Sequence, residues 1–254
     1  MVFGYLASFL MGTVLGLLGG GGSILTVPIL IVFFQLKALE ATTYSLFIVG
    51  ISAFFGVYQY SKNEGVSWKN ALYFALPSFG GVFLSRSFLI PILPPDSKDF
   101  WILTTFAVVM LVASFSMIKG RKEDTSTPKA SPQGIFISIL GFLTGIITGF
   151  VGAGGGFLIV PALVFFAKLP IKKAIGTSLV IISANSLFGF ANDLFLERTV
   201  DWWFLLRFTA IAVSGVFLGT FFSKKVSSQK LKPAFGWFVL IMGSWILFKQ
   251  VGNF

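Results

Sequence analysis

Apolar runs fill most of the chain, and two of them are broken in the same way. GLLGGGGSILTVP at 16–28 and GFVGAGGGFLIVP at 149–161 each stop at a glycine cluster, then restart as a second apolar run containing a proline. A glycine inside a helix costs about 1 kcal/mol relative to alanine, so consecutive glycines mark a point where the backbone leaves the helix. With the clusters taken as breaks, ten apolar legs emerge. Five cover 3–18, 24–36, 43–60, 70–90 and 99–118, and five cover 135–151, 157–168, 174–196, 202–222 and 235–250. The polar stretch KGRKEDTSTPKASPQG between the two sets reads as a loop. The pattern predicts an all-α polytopic membrane protein: a first membrane repeat at 1–118, a linker at 119–133 and a second repeat at 134–254.

The two sets are copies. A shift of 133 residues places Gly12, Gly16, Gly19, Gly21, Gly22, Val27 and Pro28 on Gly145, Gly149, Gly152, Gly154, Gly155, Val160 and Pro161. Ala41, Ser45, Leu46, Phe55 and Gly56 fall on Ala174, Ser178, Leu179, Phe188 and Gly189, and after a slip of one residue GVFL at 81–84 falls on GVFL at 215–218. A register kept this long points to duplication, and paired halves in a membrane chain point to a transporter.

Charge sets the expected orientation. If each break turns the chain around, loops on one side hold thirteen basic residues: Lys62, Lys69, Lys119, Arg121, Lys122, Lys129, Lys168, Lys172, Lys173, Lys224, Lys225, Lys230 and Lys232. The other side holds four: Lys37, Lys98, Arg198 and Lys249. If each break is a bulge in one continuous crossing, the split is nine against eight, which gives no orientation. The breaks therefore read as hairpin turns, broken or re-entrant, and five legs per half make the repeats inverted. Both termini are expected outside the cytoplasm and 119–133 inside it. The apolar N-terminus lacks the basic start and the small-residue cleavage site of a signal peptide, so it reads as a membrane leg.

Composition removes most chemistry. Mean hydropathy is +0.91 and only 11% of residues are charged. The chain has no cysteine and no histidine, which excludes disulfides, thiol redox chemistry, His/Cys metal sites and histidine triads. There is no Walker motif for ATP hydrolysis. No cofactor or metal is expected. The net charge of +10 reads as topology-setting loop lysines in a bilayer and not as a nucleic-acid surface.

The candidate chemistry lies at the breaks. A helix that starts inside the membrane offers about four unpaired amides and a positive dipole end, which suit an anion. Glycines let an oxyanion approach those amides without an intervening Cβ. Gly20, Gly21, Gly22 and Ser23, with Ser23 as an N-cap, and Gly154, Gly155 and Gly156 form the expected anion site. Hydroxyls and one amide inside apolar legs extend it: Thr43, Ser45, Thr177, Ser178 and Asn185. Arg86 and Arg207, the basic residues within the legs, either snorkel to the interface, clamp the anion, or pair with Asp193. Gln59 and Asn192 are positional partners under the same shift, Asp193 follows Asn192, and these complete the candidate clamp or coupling group. GTVLG at 12–16 and GIITG at 145–149 read instead as close helix packing.

The two glycine motifs, followed by ATTYS at 41–45 and AIGTS at 174–178, resemble the TauE/SafE family of sulfite exporters over nearly the whole chain. The resemblance implies a bacterial inner-membrane permease that exports small sulfur-containing anions such as sulfite, sulfoacetate or other organosulfonates. The motif positions carried over are Gly19 to Ser23, Pro28, Thr43, Ser45, Gly152 to Gly156, Pro161, Thr177 and Ser178. The first copy departs from the second in having Ser23 where the second has Gly156, and TTYS where the second has IGTS. The expected function is anion export by alternating access, with the anion between the two sets of helix N-termini. An anion channel on the same turns is the alternative, and a membrane enzyme is the weakest reading.

Overall fold

In the computed structural model each glycine break reverses the chain. Helix α1 (Val2–Leu18) ends at Gly19, whose φ of +72° only glycine adopts readily. A 3₁₀ turn (Gly21–Leu25) follows, and α2 (Thr26–Phe34) runs back along α1. A Cβ on Gly22 would strike the backbone of Leu15 and Met11, and the Phe34 ring lies edge-on to Tyr5 at 5.4 Å. Residue 34 has therefore returned to the level of residue 5. The second half repeats the turn: α6 (Gly134–Val151) ends at Gly152 (φ +71°), α7 (Gly156–Phe165) runs back, and Phe136 meets Phe166 at 5.3 Å. Gln35 and Lys168, equivalent under the 133-residue shift, close the returning arms as left-handed residues with φ of 55° and 51°. At 1.5 Å per residue α2 and α7 span about 14 Å and about 15 Å, half the hydrocarbon thickness.

The structure describes residues 2–63, 65–118, 134–152, 154–196, 198, 200–223 and 228–251; the expected linker at 119–133 lies outside them. The other helices are α3 (Ala38–Asn63), α4 (Trp68–Leu84), α5 (Lys98–Ile118), α8 (Ile171–Phe195), α9 (Trp202–Phe222) and α10 (Ser228–Val251). Helix α4 continues through a π turn (Ser85–Leu89) and one further α turn (Ile90–Ile92). No strand occurs among the described residues, and six segments are long and apolar enough to cross a membrane. They are Ala38–Ser61, Trp68–Ile92, Pro95–Phe115, Gly134–Val151, Lys172–Phe195 and Trp202–Phe222. Helix α3 begins earlier than the hydrophobic pattern suggests. Thr42 and Thr43 turn their hydroxyls back onto the Leu39 carbonyl, so the polar start stays helical.

Packing between the halves is unchanged when the halves are exchanged. Helix α1 lies on α9 as α6 lies on α4; α3 crosses α8, and α5 pairs with α10. The small residues predicted to pack do so against backbone. A Cβ on Gly12 would land on the Ala212 carbonyl, and one on Gly145 on the Ser78 carbonyl. Gly215 and Gly81 meet the carbonyls of Phe9 and Phe142 in the same manner. Gly12→Leu and Gly145→Leu are each expected to cost about 1–3 kcal/mol of stability, because the opposing atoms are backbone and cannot swing away. A lowered thermal midpoint in detergent checks this. Large exposed apolar side chains such as Leu6 and Leu10 on α1, Val108 and Val112 on α5, and Leu206 and Phe221 on α9 face outward, as a bilayer-facing surface requires.

Candidate functional site

The two glycine turns meet. The backbones of Gly20 and Gly156 touch so closely that a Cβ on either would overlap the other. Each turn also leans on the long helix of the opposite half: Gly19 on Ile175 of α8, Gly152 on Thr42 of α3. Turns, α3 and α8 form one buried unit. In this conformation no space separates Gly20 from Gly156, so a solute cannot lie between those two residues.

The second turn carries the stronger helix start. Gly155, left-handed with φ +69°, precedes α7, and its carbonyl accepts from the amides of Leu158 (2.9 Å) and Ile159 (3.0 Å). The amides of Gly156 and Phe157 precede that first bond, as at any helix N-terminus. At the same turn, Ser186 Oγ lies 2.8 Å from where a Gly154 Cβ would sit. Ser186 is fully buried and its hydroxyl has no partner among the described residues. Ser186 was not among the residues marked from sequence, because a serine in a helix usually bonds back to its own carbonyls.

The first turn differs. A 3₁₀ turn intervenes, so α2 starts at Thr26 with Leu25 as its N-cap, and Ser23 does not cap it. Ser23 instead donates to the Gly20 carbonyl at 2.7 Å. Pro28 falls in the first turn of α2, where a missing N–H costs nothing, whereas Pro161 lies inside α7.

The remaining candidates separate into groups. Ser45 is buried without a partner among the described residues, as is Thr26. Ser178 donates to the Ile175 carbonyl at 2.8 Å. Asn185 donates to Ser78 at 2.6 Å across to α4, while its Oδ1 is unpartnered. Thr177 donates to the Lys173 carbonyl (2.7 Å) and accepts from the Ser67 amide (2.9 Å). It lies sixteen positions, about 24 Å, along α8 from Asp193, so Thr43 and Thr177 are not brought together. Gln59 is half-buried near the far end of α3 from Thr43. Arg207 is exposed, its guanidinium 5.7 Å from the Trp203 ring centre, and takes no part in a clamp with Arg86. An apolar groove of about 410 Å³ lined by Phe54, Phe55, Tyr58, Trp68 and Phe217 opens on the outer face, away from the turns.

Arg86 does not snorkel. It is completely buried in the π turn and bonds Asp193 Oδ2 through Nη1 at 2.8 Å. Thr43 Oγ1 lies 2.7 Å from the same carboxylate oxygen, and Thr42 Oγ1 lies 3.4 Å from Arg86 Nη1. Beside this pair Asn192 exchanges hydrogen bonds with Ser87. A third ion joins from the loop after α8: Arg198 Nη1 lies 3.0 Å from Asp193 Oδ1 and 3.2 Å from Thr43 Oγ1. Burial draws the Arg198 guanidinium below its ordinary value and Asp193 partly draws it back. In the sequence Arg198 counted only as a loop charge; its spacing of five from Asp193 was the available signal. Under the repeat shift, Asp193 corresponds to Tyr60 and Arg86 to Thr220, and these instead bond the carbonyls of Gly16 and Val216. The ionic cluster therefore breaks the symmetry of the halves. It touches the second glycine turn through Thr42, which packs on Gly152.

Proteins with similar sequences are described as membrane transporters. A probable membrane transporter protein of Xylella fastidiosa (strain Temecula1) is 32% identical over 252 residues, covering 95% of this chain and 92% of that protein. A probable membrane transporter protein of Methanocaldococcus jannaschii is 25% identical over 257 residues, covering 95% and 93%. The probable membrane transporter protein YunE of Bacillus subtilis is 24% identical, covering 94% of each. No solved structure matches the chain. The family model described as Sulfite exporter TauE/SafE matches residues 5–250, and with the relatives and the six apolar spans it identifies a multi-pass membrane transporter: the chain belongs to the TauE/SafE family.

Proposed function

We propose that this protein is a secondary permease of the bacterial inner membrane that exports small sulfur-containing anions, sulfite or organosulfonates, by alternating access between two inverted repeats. The observation that carries the anion site is the buried Ser186 hydroxyl, unpartnered among the described residues and set against Gly154, two residues before α7 begins. A buried polar group without a partner is costly, and an oxyanion held by the amides of Gly156 and Phe157 would supply one. The anion sits beside the touching tips and not between them as the sequence alone suggested. Gly20, Gly21 and Gly22 then support the site from the opposite half, with Ser45 and Asn185 as further donors when the hairpins part.

Chain reversal and symmetric packing favour the inverted arrangement. Each break reverses the chain, giving five legs per half, and the packing partners exchange symmetrically. The thirteen-to-four bias of basic residues then favours both termini outside the cytoplasm. On this reading the Arg86–Asp193–Arg198 cluster closes the extracytoplasmic side. Efflux of each negative charge down an inside-negative potential gains about 2.3 kcal/mol per 100 mV, enough to drive export without ATP.

Proteoliposomes loaded with radiolabelled sulfite test this. Saturable efflux with counterflow exchange is expected; efflux without counterflow at far higher rates would favour a channel, and no efflux of any sulfur anion would contradict the proposal. Ser186→Ala is expected to leave the thermal midpoint unchanged and to raise KM about tenfold, the worth of one hydrogen bond to an ion. An unchanged KM would remove Ser186 from the site.

A further inference from the structure

Arg86 uses one nitrogen on Asp193 and Thr42 and leaves the other two, Nε and Nη2, buried without a partner among the described residues. Those two share one edge of the guanidinium plane, and their N–H bonds point the same way, the fork that matches two oxygens of a sulfonate or carboxylate. Two arginines share a single carboxylate, so among the described residues the cluster carries one surplus positive charge. Buried N–H donors on a cation do not stay bare. The neighbouring Ser85 hydroxyl is also buried and unpartnered, and both lie in a π turn, a distortion found mostly at functional sites. Ser85 packs on Gly149, and Thr42 on Gly152, so the π turn and the partner of Nη1 adjoin the second glycine hairpin.

We propose that the Nε/Nη2 edge of Arg86 is a second oxyanion site, separate from the Gly154–Ser186 site, that receives a small sulfonate or sulfite where it leaves the glycine turns. It takes its ligand class from the proposed transport but stands on different residues. The surplus charge holds the anion, and Asp193 keeps the guanidinium oriented so that the free fork faces the ligand.

Isothermal titration of the purified full-length protein with methanesulfonate tests it. Two sites per chain are expected. Arg86→Lys keeps a cation for Asp193 but has no planar fork, so it is expected to lose one site, or to weaken it by about tenfold or more, and to keep the other. Ser186→Ala is expected to weaken only the site that Arg86→Lys spares. A single site that Arg86→Lys leaves intact overturns the second site and spares the glycine site. A single site lost in Arg86→Lys and untouched by Ser186→Ala supports the fork and removes the glycine site. No binding by the wild-type protein overturns both. If Arg86→Lys does not fold, Arg86→Met combined with Asp193→Leu removes fork and partner together; two intact sites in that variant overturn the proposal.

Discussion

Asp193→Leu is expected to destabilise the protein by about 3–5 kcal/mol, the largest effect of any single substitution outside the turns. The carboxylate is fully buried and takes Arg86 at 2.8 Å and Arg198 at 3.0 Å, with Thr43 at 2.7 Å. Removing it leaves one fully buried guanidinium and one largely buried guanidinium without their anion. The loss comes from those stranded charges more than from the attraction itself, so removing Arg86 as well should restore much of it. Arg86→Met with Asp193→Leu is thus expected to unfold at a higher temperature than Asp193→Leu alone. Thermal unfolding in detergent reads both. Equal midpoints for Asp193→Leu and wild type would mean that water reaches the cluster and screens it.

Gly20→Ala and Gly156→Ala are expected to abolish anion efflux and to cost up to about 3 kcal/mol of stability each. Gly20 has φ −78° and ψ −18°, a conformation alanine adopts freely, so its penalty isolates the contact itself. The atoms a new Cβ would meet are the backbone of Gly156, which has no rotamer to escape into. One methyl group therefore forces the two hairpins apart. Gly155→Val and Gly22→Val are different experiments. Gly155 needs positive φ and its Cβ would overlap the Thr148 side chain, while a Cβ on Gly22 would strike Leu15 and Met11 of its own hairpin. Those variants break a turn and not the meeting of turns. Efflux at wild-type rate in Gly20→Ala would show that the tips move independently.

Much of this arrangement was legible because glycine is informative where a backbone must do something unusual. Four consecutive glycines at 19–22 and the cluster at 152–156 marked the reversals, and their spacing fixed the register of the halves. The packing glycines at 12, 16, 145 and 149 were legible for the same reason: a stripe of small residues needs a backbone to receive it. The details at the first turn were not. Ser23 looked like an N-cap, but a 3₁₀ turn has no local sequence mark that distinguishes it from the start of an α-helix. The ionic cluster joins residues 107 positions apart, and only the fold decides whether Arg86 reaches Asp193 or the interface. Arg198 was hidden because a loop cation next to a helix end reads as solvated. Ser186 was hidden because its significance lies in a hydrogen bond it does not make.

The most direct measurement is anomalous scattering from crystals soaked in selenite, the heavier analogue of sulfite. A selenium peak within hydrogen-bond reach of the Gly156 and Phe157 amides and of Ser186 is the predicted result. Selenium found solely at the arginine cluster, or nowhere while the two turns stay pressed together, would contradict the claim that the glycine turns bind the transported anion.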